Sequence, residues 1–133
     1  MEVTNGEVYN SVESLQILAQ MRLPVLVSLQ VAKLTIKLRE QVNVIEQVRN
    51  KLIETYGGTN EEGLMEVIFP GDLHGRPASP DHTKYTSERI ELMAKKEVIE
   101  VEKIQLPSEI DGKPLQIEPS ILIDLEKFID IVG

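Results

Sequence analysis

Residues 24–58 read PVLVSLQVAKLTIKLREQVNVIEQVRNKLIETYGG, and this stretch decides the fold. After Pro24 it holds no Gly or Pro until Gly57-Gly58, so nothing interrupts a helix from Pro24 to Tyr56. Proline suits the first turn of a helix, and the glycine pair offers the left-handed backbone on which many helices end. Val31, Leu34, Leu38, Gln41, Ile45, Val48 and Leu52 recur at alternating steps of three and four, the spacing of a heptad seam. Gln41 is its single polar member, and one polar group in a seam can fix register or oligomer state. The first half of the helix carries a second apolar stripe, Val25, Leu29, Ala32 and Ile36, so that half is expected to be buried on two sides.

Length sharpens this expectation. About 33 residues at 1.5 Å each span roughly 50 Å. A compact chain of this size has a diameter near 36 Å, estimated from its radius of gyration of about 14 Å. The helix should therefore overhang its own domain. Either the fold is elongated or another subunit covers the projecting seam, and a homo-oligomer or a permanent partner is the favoured expectation.

Outward from the long helix, Leu23-Pro24 reads as a corner, because the residue before a proline avoids the helical region. A short helix before it should begin near Asn10, with Asn10 as cap and Glu13 three residues on. Val12, Leu15, Leu18 and Ala19 give it an apolar face. After Tyr56, residues 57–82 form a long connection punctuated by Gly57, Gly58, Gly63, Pro70, Gly71, Gly75, Pro77 and Pro80. Connections of this length are either functional or mobile. Within it, Leu64–Phe69 is a short strand candidate. Asp81 is a candidate cap for a third helix over about 82–96, with Tyr85, Ile90, Met93 and Ala94.

Glu97 to Leu106 is rich in β-formers and predicts a strand. Asp111-Gly112 is a turn signal, and Leu115–Ile117 would return beside that strand as a small antiparallel hairpin with an acidic exposed side. Pro119 opens a last helix over about 119–132, with Ile121, Leu122, Leu125, Phe128, Ile129 and Val132 on its apolar face. The expected fold is mainly α with a small antiparallel β-hairpin, an α+β class, in one domain over residues 1–133.

Composition narrows the function classes. The chain has 133 residues, of which 41% are hydrophobic and only 4% aromatic, so its core must come from Ile, Leu and Val. There is no Cys, which removes disulfides, thiolate metal sites and thiol catalysis together. Glu2 and Glu7 stand where a signal peptide needs positive charge, and no run of about 18 apolar residues exists to span a membrane. A cytoplasmic protein, free or part of a particle assembled there, is expected. A net charge of -8 disfavours nucleic acid as partner, since phosphate contacts need Lys and Arg. The five basic groups of residues 31–56, Lys33, Lys37, Arg39, Arg49 and Lys51, are interleaved with Glu40, Glu46 and Glu54 as on a solvated helix surface.

No catalytic signature accompanies this pattern. There is no P-loop and no Gly-x-Ser-x-Gly elbow. Asp72-Leu73-His74 and Asp81-His82 put two carboxylates and two imidazoles in one loop, but at no spacing that defines a metal site, and Asp in such loops serves turns. Neither a metal nor a cofactor is expected. Glu100 and Glu102 share one face of the predicted strand, where charge blocks edge-to-edge aggregation.

The order of signals resembles a family. Ser14-Leu15 lies in a short first helix, Leu23-Pro24 is the corner, and the long helix ends in Tyr56-Gly57. The Glu97–Leu106 strand follows, and then Pro119-Ser120-Ile121-Leu122 through Leu125-Glu126-Lys127-Phe128-Ile129. This looks like a group of short uncharacterised proteins encoded by tailed bacteriophages and prophages of Gram-positive bacteria. The resemblance spans most of the chain outside 57–82. It implies a product made in a bacterial cytoplasm and brings no activity and no catalytic residues.

Two functional expectations follow. One is a non-enzymatic assembly protein whose contact surface is the Val31, Leu34, Leu38, Gln41, Ile45, Val48, Leu52 seam. The other is a small inhibitor that presents Glu97, Glu100 and Glu102 to a basic surface of a host enzyme or defence protein.

Overall fold

A computed structural model describes all 133 residues. The chain is mainly helical, an α+β protein with small strand pairs, and about half of it is helix. Strand β1 (Glu2–Thr4) leads directly into helix α1 (Asn5–Ala19), and helix α2 (Val25–Tyr56) follows after the Leu23-Pro24 corner. Then come β2 (Gly58–Thr59), β3 (Met65–Glu66) and helix α3 (His82–Ala94). Strands β4 (Lys96–Val98), β5 (Ile104–Pro107), β6 (Glu109–Ile110) and β7 (Lys113–Pro114) precede a short helix, α4 (Pro119–Asp124), and a last strand, β8 (Ile129–Val132).

Helix α1 begins five residues earlier than the Asn10 reading places it. The Thr4 hydroxyl accepts from the Glu7 backbone N–H at 3.1 Å, and the Glu7 carboxylate accepts from the Thr4 N–H at 2.9 Å. This reciprocal capping box satisfies two donors that a helix start otherwise leaves open. Gly6 lies on the first turn, where an added Cβ would come within 3.2 Å of the Met93 carbonyl oxygen, so its lack of a side chain lets α1 approach the end of α3.

Helix α2 runs almost as the periodicity predicts. Its end differs in one respect. Gly57 is extended (φ -104°), not left-handed. Its glycine is needed for space: a Cβ there would stand 2.4 Å from the Glu66 carbonyl oxygen and 2.6 Å from that of Ile53. The predicted strand over Leu64–Phe69 is reduced to Met65–Glu66, paired antiparallel with Gly58–Thr59. Asp81 precedes α3 without capping it through its side chain.

The segment expected to be one strand, Glu97–Leu106, is two. Strand β4 pairs antiparallel with β1, and β5 pairs parallel with β8. The reason lies in the pattern. Ile99 and Val101 turn inward at odd positions, whereas Ile104 and Leu106 are fully buried at even ones. A strand alternates faces with a period of two, so no single flat strand can bury both sets. The Asp111-Gly112 turn forms, with both residues at positive φ (53° and 75°), but it joins β6 to β7 rather than returning Leu115–Ile117 to the long strand.

The final helix is also shorter than expected. It stops at Asp124, and the chain turns through Leu125–Phe128 into β8. Ile129-Asp130-Ile131-Val132 is β-branched at three of four positions, and β5 offers it a ladder of hydrogen bonds. Strands β1 and β8 thus come from opposite ends of the sequence to the same stretch, residues 96–107.

One core joins these elements. Val8, Leu15 and Leu18 of α1 meet Val31, Leu34, Leu38 and Ile45 of α2, closed by Ile104, Leu106, Ile121, Leu125 and Phe128. Polar links fix the angles between elements. The Ser14 hydroxyl donates to the Asp124 carboxylate at 2.9 Å, and the Lys127 ammonium reaches Glu7 at 2.9 Å. Arg49 donates to the Tyr9 hydroxyl at 2.6 Å and lies over the Tyr9 ring.

Candidate interaction surface

The heptad seam of α2 faces inward. Val31, Leu34, Leu38 and Ile45 are buried, Leu52 is half-buried, and only Val48 is exposed. Helix α1 covers most of the seam, with α3 and β5 beside it. Gln41 is half-buried and donates to the Asn5 side-chain oxygen at 3.0 Å. Asn5 in turn donates to the Leu92 carbonyl at 3.0 Å, so the one polar seam residue registers α1 and α3 against α2 within the chain. The covering element is α1, whose early start adds the turn that carries Asn5 and Val8.

The second stripe is where the structure departs furthest from expectation. It is not buried. Val25 is 80% exposed, Leu29 49% and Ile36 62%, and Ala32 is exposed between them. At 100° per residue these four fall within about 60° of one another, roughly opposite Leu34 and Leu38. Leu26, 71% exposed, flanks them. The physical reason is one of supply. Helices α1 and α3 and strand β5 pack on the inner side of α2, α4 packs on α1 and β8 on β5, and no element remains to cover the outer face. Residues 43 and 47 continue the outer direction as Asn and Gln, so the apolar face ends after Ile36.

Beside the stripe, α2 and the extended connection 99–103 enclose a groove of about 210 Å³. Leu29, Leu34 and Val101 give it an apolar floor, Lys33 and Lys37 form one wall, and Glu100 and Glu102 form the other. This is smaller than the roughly 300–1,000 Å³ of ordinary small-ligand sites. None of those four charged groups takes part in an ion pair. The three glutamates of the acidic expectation are therefore not on a hairpin. Glu97 lies in β4, half-buried, while Glu100 and Glu102 stand on the connection with two lysines facing them.

The 57–82 loop is organised by Arg76. Its guanidinium is bidentate on Glu66 (2.9 and 3.1 Å) and also holds Asp72 at 3.0 Å. Asn60 adds a bond to Glu66 at 3.0 Å, and the Asp72 carboxylate accepts the backbone N–H groups of His74 and Arg76. The Arg76 guanidinium holds the Asp72 carboxyl far below its ordinary range, and it lowers Glu66 as well, helped by Asn60. Both shifts are downward, so the stabilisation is complete above the unfolded carboxyl pKa of about 4 and fades as pH falls below it. Arg76→Ala should open residues 60–78 to limited proteolysis at neutral pH while leaving the main melting transition nearly unmoved, since the core does not depend on the loop. The wild-type loop should become equally cleavable only in acid.

His74 has its backbone held by Asp72, and His82 stacks edge-on against Phe69, with ring centroids 6.2 Å apart. No group of three or more His, Asp or Glu side chains is placed to hold a metal ion. No helix is long and apolar enough to cross a membrane. Comparison of the chain with known protein families, curated proteins and solved structures finds no match.

Proposed function

We propose that this chain is a non-enzymatic protein–protein interaction and assembly protein that works through the outer face of α2. One observation carries the reading. Val25, Leu26, Leu29 and Ile36 lie uncovered and close together along the first three turns of the longest helix, whose opposite face is buried in the core. A contiguous apolar face is unfavourable in water and is characteristic of a contact surface. Scattered exposed apolar residues need no such account, but these are adjacent, aligned and sharply bounded. The phage-type context belongs to the same proposal and rests on the order of helix and strand signals alone.

The contact surface proposed here is on the side of α2 opposite the heptad seam. Leu29→Asp with Ile36→Asp should leave the fold intact, because both side chains already face water. In a lysate of producing cells the wild type should run above its 15.0 kDa monomer mass and the double variant at it. Monomer mass for both proteins would remove the reading.

A further inference from the structure

We infer that the occupant of the α2 face is a second copy of this chain, packed antiparallel across a two-fold axis between Leu29 and Ala32. This rests on the reading of that face as a contact surface and goes beyond it by naming the partner and its register.

Three observations point to it. The first is length. The stripe steps four, three and four from Val25 to Ile36, and it is closed sharply at both ends: Pro24 follows Arg22 and Leu23 before it, and Arg39-Glu40 comes after it. Reversing one copy superposes the stripe on itself, with Val25 facing Ile36 of the second copy and Leu29 facing its Ala32. A shift by one heptad would set an apolar layer against Arg39 or beyond Pro24.

The second is shape. Antiparallel packing gives two central layers of one large and one small residue, Leu29 with Ala32, flanked by two layers of β-branched residues. Large-with-small layers interdigitate without voids. Parallel in-register packing would instead stack Ala32 on Ala32 beside Leu29 on Leu29, leaving a gap next to a crowded layer.

The third is charge. In the antiparallel register the nearest flanking pairs are Lys33 over Leu26 of the other copy on one side, and Ser28 with Thr35 on the other. Neither of these central flanking pairs sets like charges against each other. The stem of Lys33 covers the exposed Leu26, and its ammonium arrives on the side where Glu100 and Glu102 stand without an ion pair of their own.

The surface is small. Specific interfaces bury roughly 800 Å² per partner, and four helical layers supply less, so the dimer should be of roughly micromolar affinity and concentration-dependent. Sedimentation equilibrium on the purified chain should show a mass rising from 15.0 kDa towards twice that value with concentration. Leu29→Asp/Ile36→Asp, or the milder Leu29→Gln/Ile36→Gln if the first loses helical circular dichroism, should remain monomeric throughout. Lys33→Glu should weaken the dimer at least several-fold, and Glu102→Lys in the same chain should restore part of the loss.

Orientation has its own readout, because the chain contains no cysteine. In the antiparallel dimer, position 25 lies eleven residues along the helix from position 25 of the other copy, or about 16 Å. A disulfide needs Cα atoms within about 7 Å. Val25→Cys alone and Ile36→Cys alone should therefore not cross-link, whereas an oxidised mixture of the two should. A purified protein monomeric at all concentrations would overturn the inference, and so would cross-linking of each single variant with itself. A monomer when purified that is a complex in lysate would overturn the self-pairing while leaving the contact-surface reading standing. A monomer in both would end both.

Discussion

Leu38→Asp should abolish folding rather than dissociate an assembly. Leu38 is fully buried where α1 crosses α2. Removing its side chain alone costs about 2–5 kcal/mol in transfer and cavity terms. The new carboxylate would also have to leave water with no cation beside it, so it would either take up a proton or force the helices apart. Domains of this size are held by about 5–15 kcal/mol in all, so this one change consumes most of the margin. The check is far-UV circular dichroism with urea titration: loss of the cooperative transition is expected. A folded variant of reduced mass would mean that the seam is an intermolecular surface after all. The contrast with Leu29→Asp on the outer face of the same helix makes the two faces separately testable.

Phe128→Ala should cost about 3–5 kcal/mol, the range for removing a buried ring. Phe128 is 1% exposed and stands at the turn between α4 and β8. Its carbonyl accepts from the Ile104 N–H at 2.8 Å, the first rung of the β5–β8 ladder. The loss should therefore extend beyond a cavity. Amide exchange at Ile104 and Leu106 should accelerate along with global unfolding, while the α2 amides beyond residue 45 keep their relative order. A change below about 1 kcal/mol would show that the site collapses around the missing ring.

These two residues also mark what the sequence made legible. The long helix was readable because its signals are local: an uninterrupted run after Pro24, a seam at steps of three and four, and a glycine stop. The corner at Leu23-Pro24 and the turn at Asp111-Gly112 are local in the same sense. Phe128 was readable as buried but not as lying beyond the end of its helix, in the turn to β8. Ile121, Leu125 and Phe128 fit a helical face whether or not the helix continues, and the competing strand needs a partner some 25 residues away (Ile104 with Ile129). Two capping boxes competed at the first helix, and the earlier one at Thr4 and Glu7 prevails. Starting there places Asn5 between Gln41 and Leu92, a benefit invisible in the helix itself.

For the candidate surface, the stripe was visible and its fate was not. Periodicity identifies an apolar face but does not say whether the chain has enough apolar surface elsewhere to cover it. The signal that bears on this was available in part. Ile99 and Val101 change phase before Ile104 and Leu106, which divides one long strand into two short ones with different partners. With no long hairpin to lie across α2, its outer face stays open.

The meeting of β1 and β8 on residues 96–107 has a consequence for how the chain is made. During synthesis α1 and α2 emerge first and can pair as a local helical hairpin. Strand β1 has no mate until Lys96–Val98 appears, and β5 has none until Ile129–Val132 has been added. The first pairing joins residues more than ninety apart and the second residues about 25 apart, and contacts across long separations form slowly because a long loop must close first. Until residues 96–132 have been added, the growing chain should thus carry its first helices formed and its two clasps undone, and a chaperone that meets it at that stage would find Val3, and then Ile104 and Leu106, still in water.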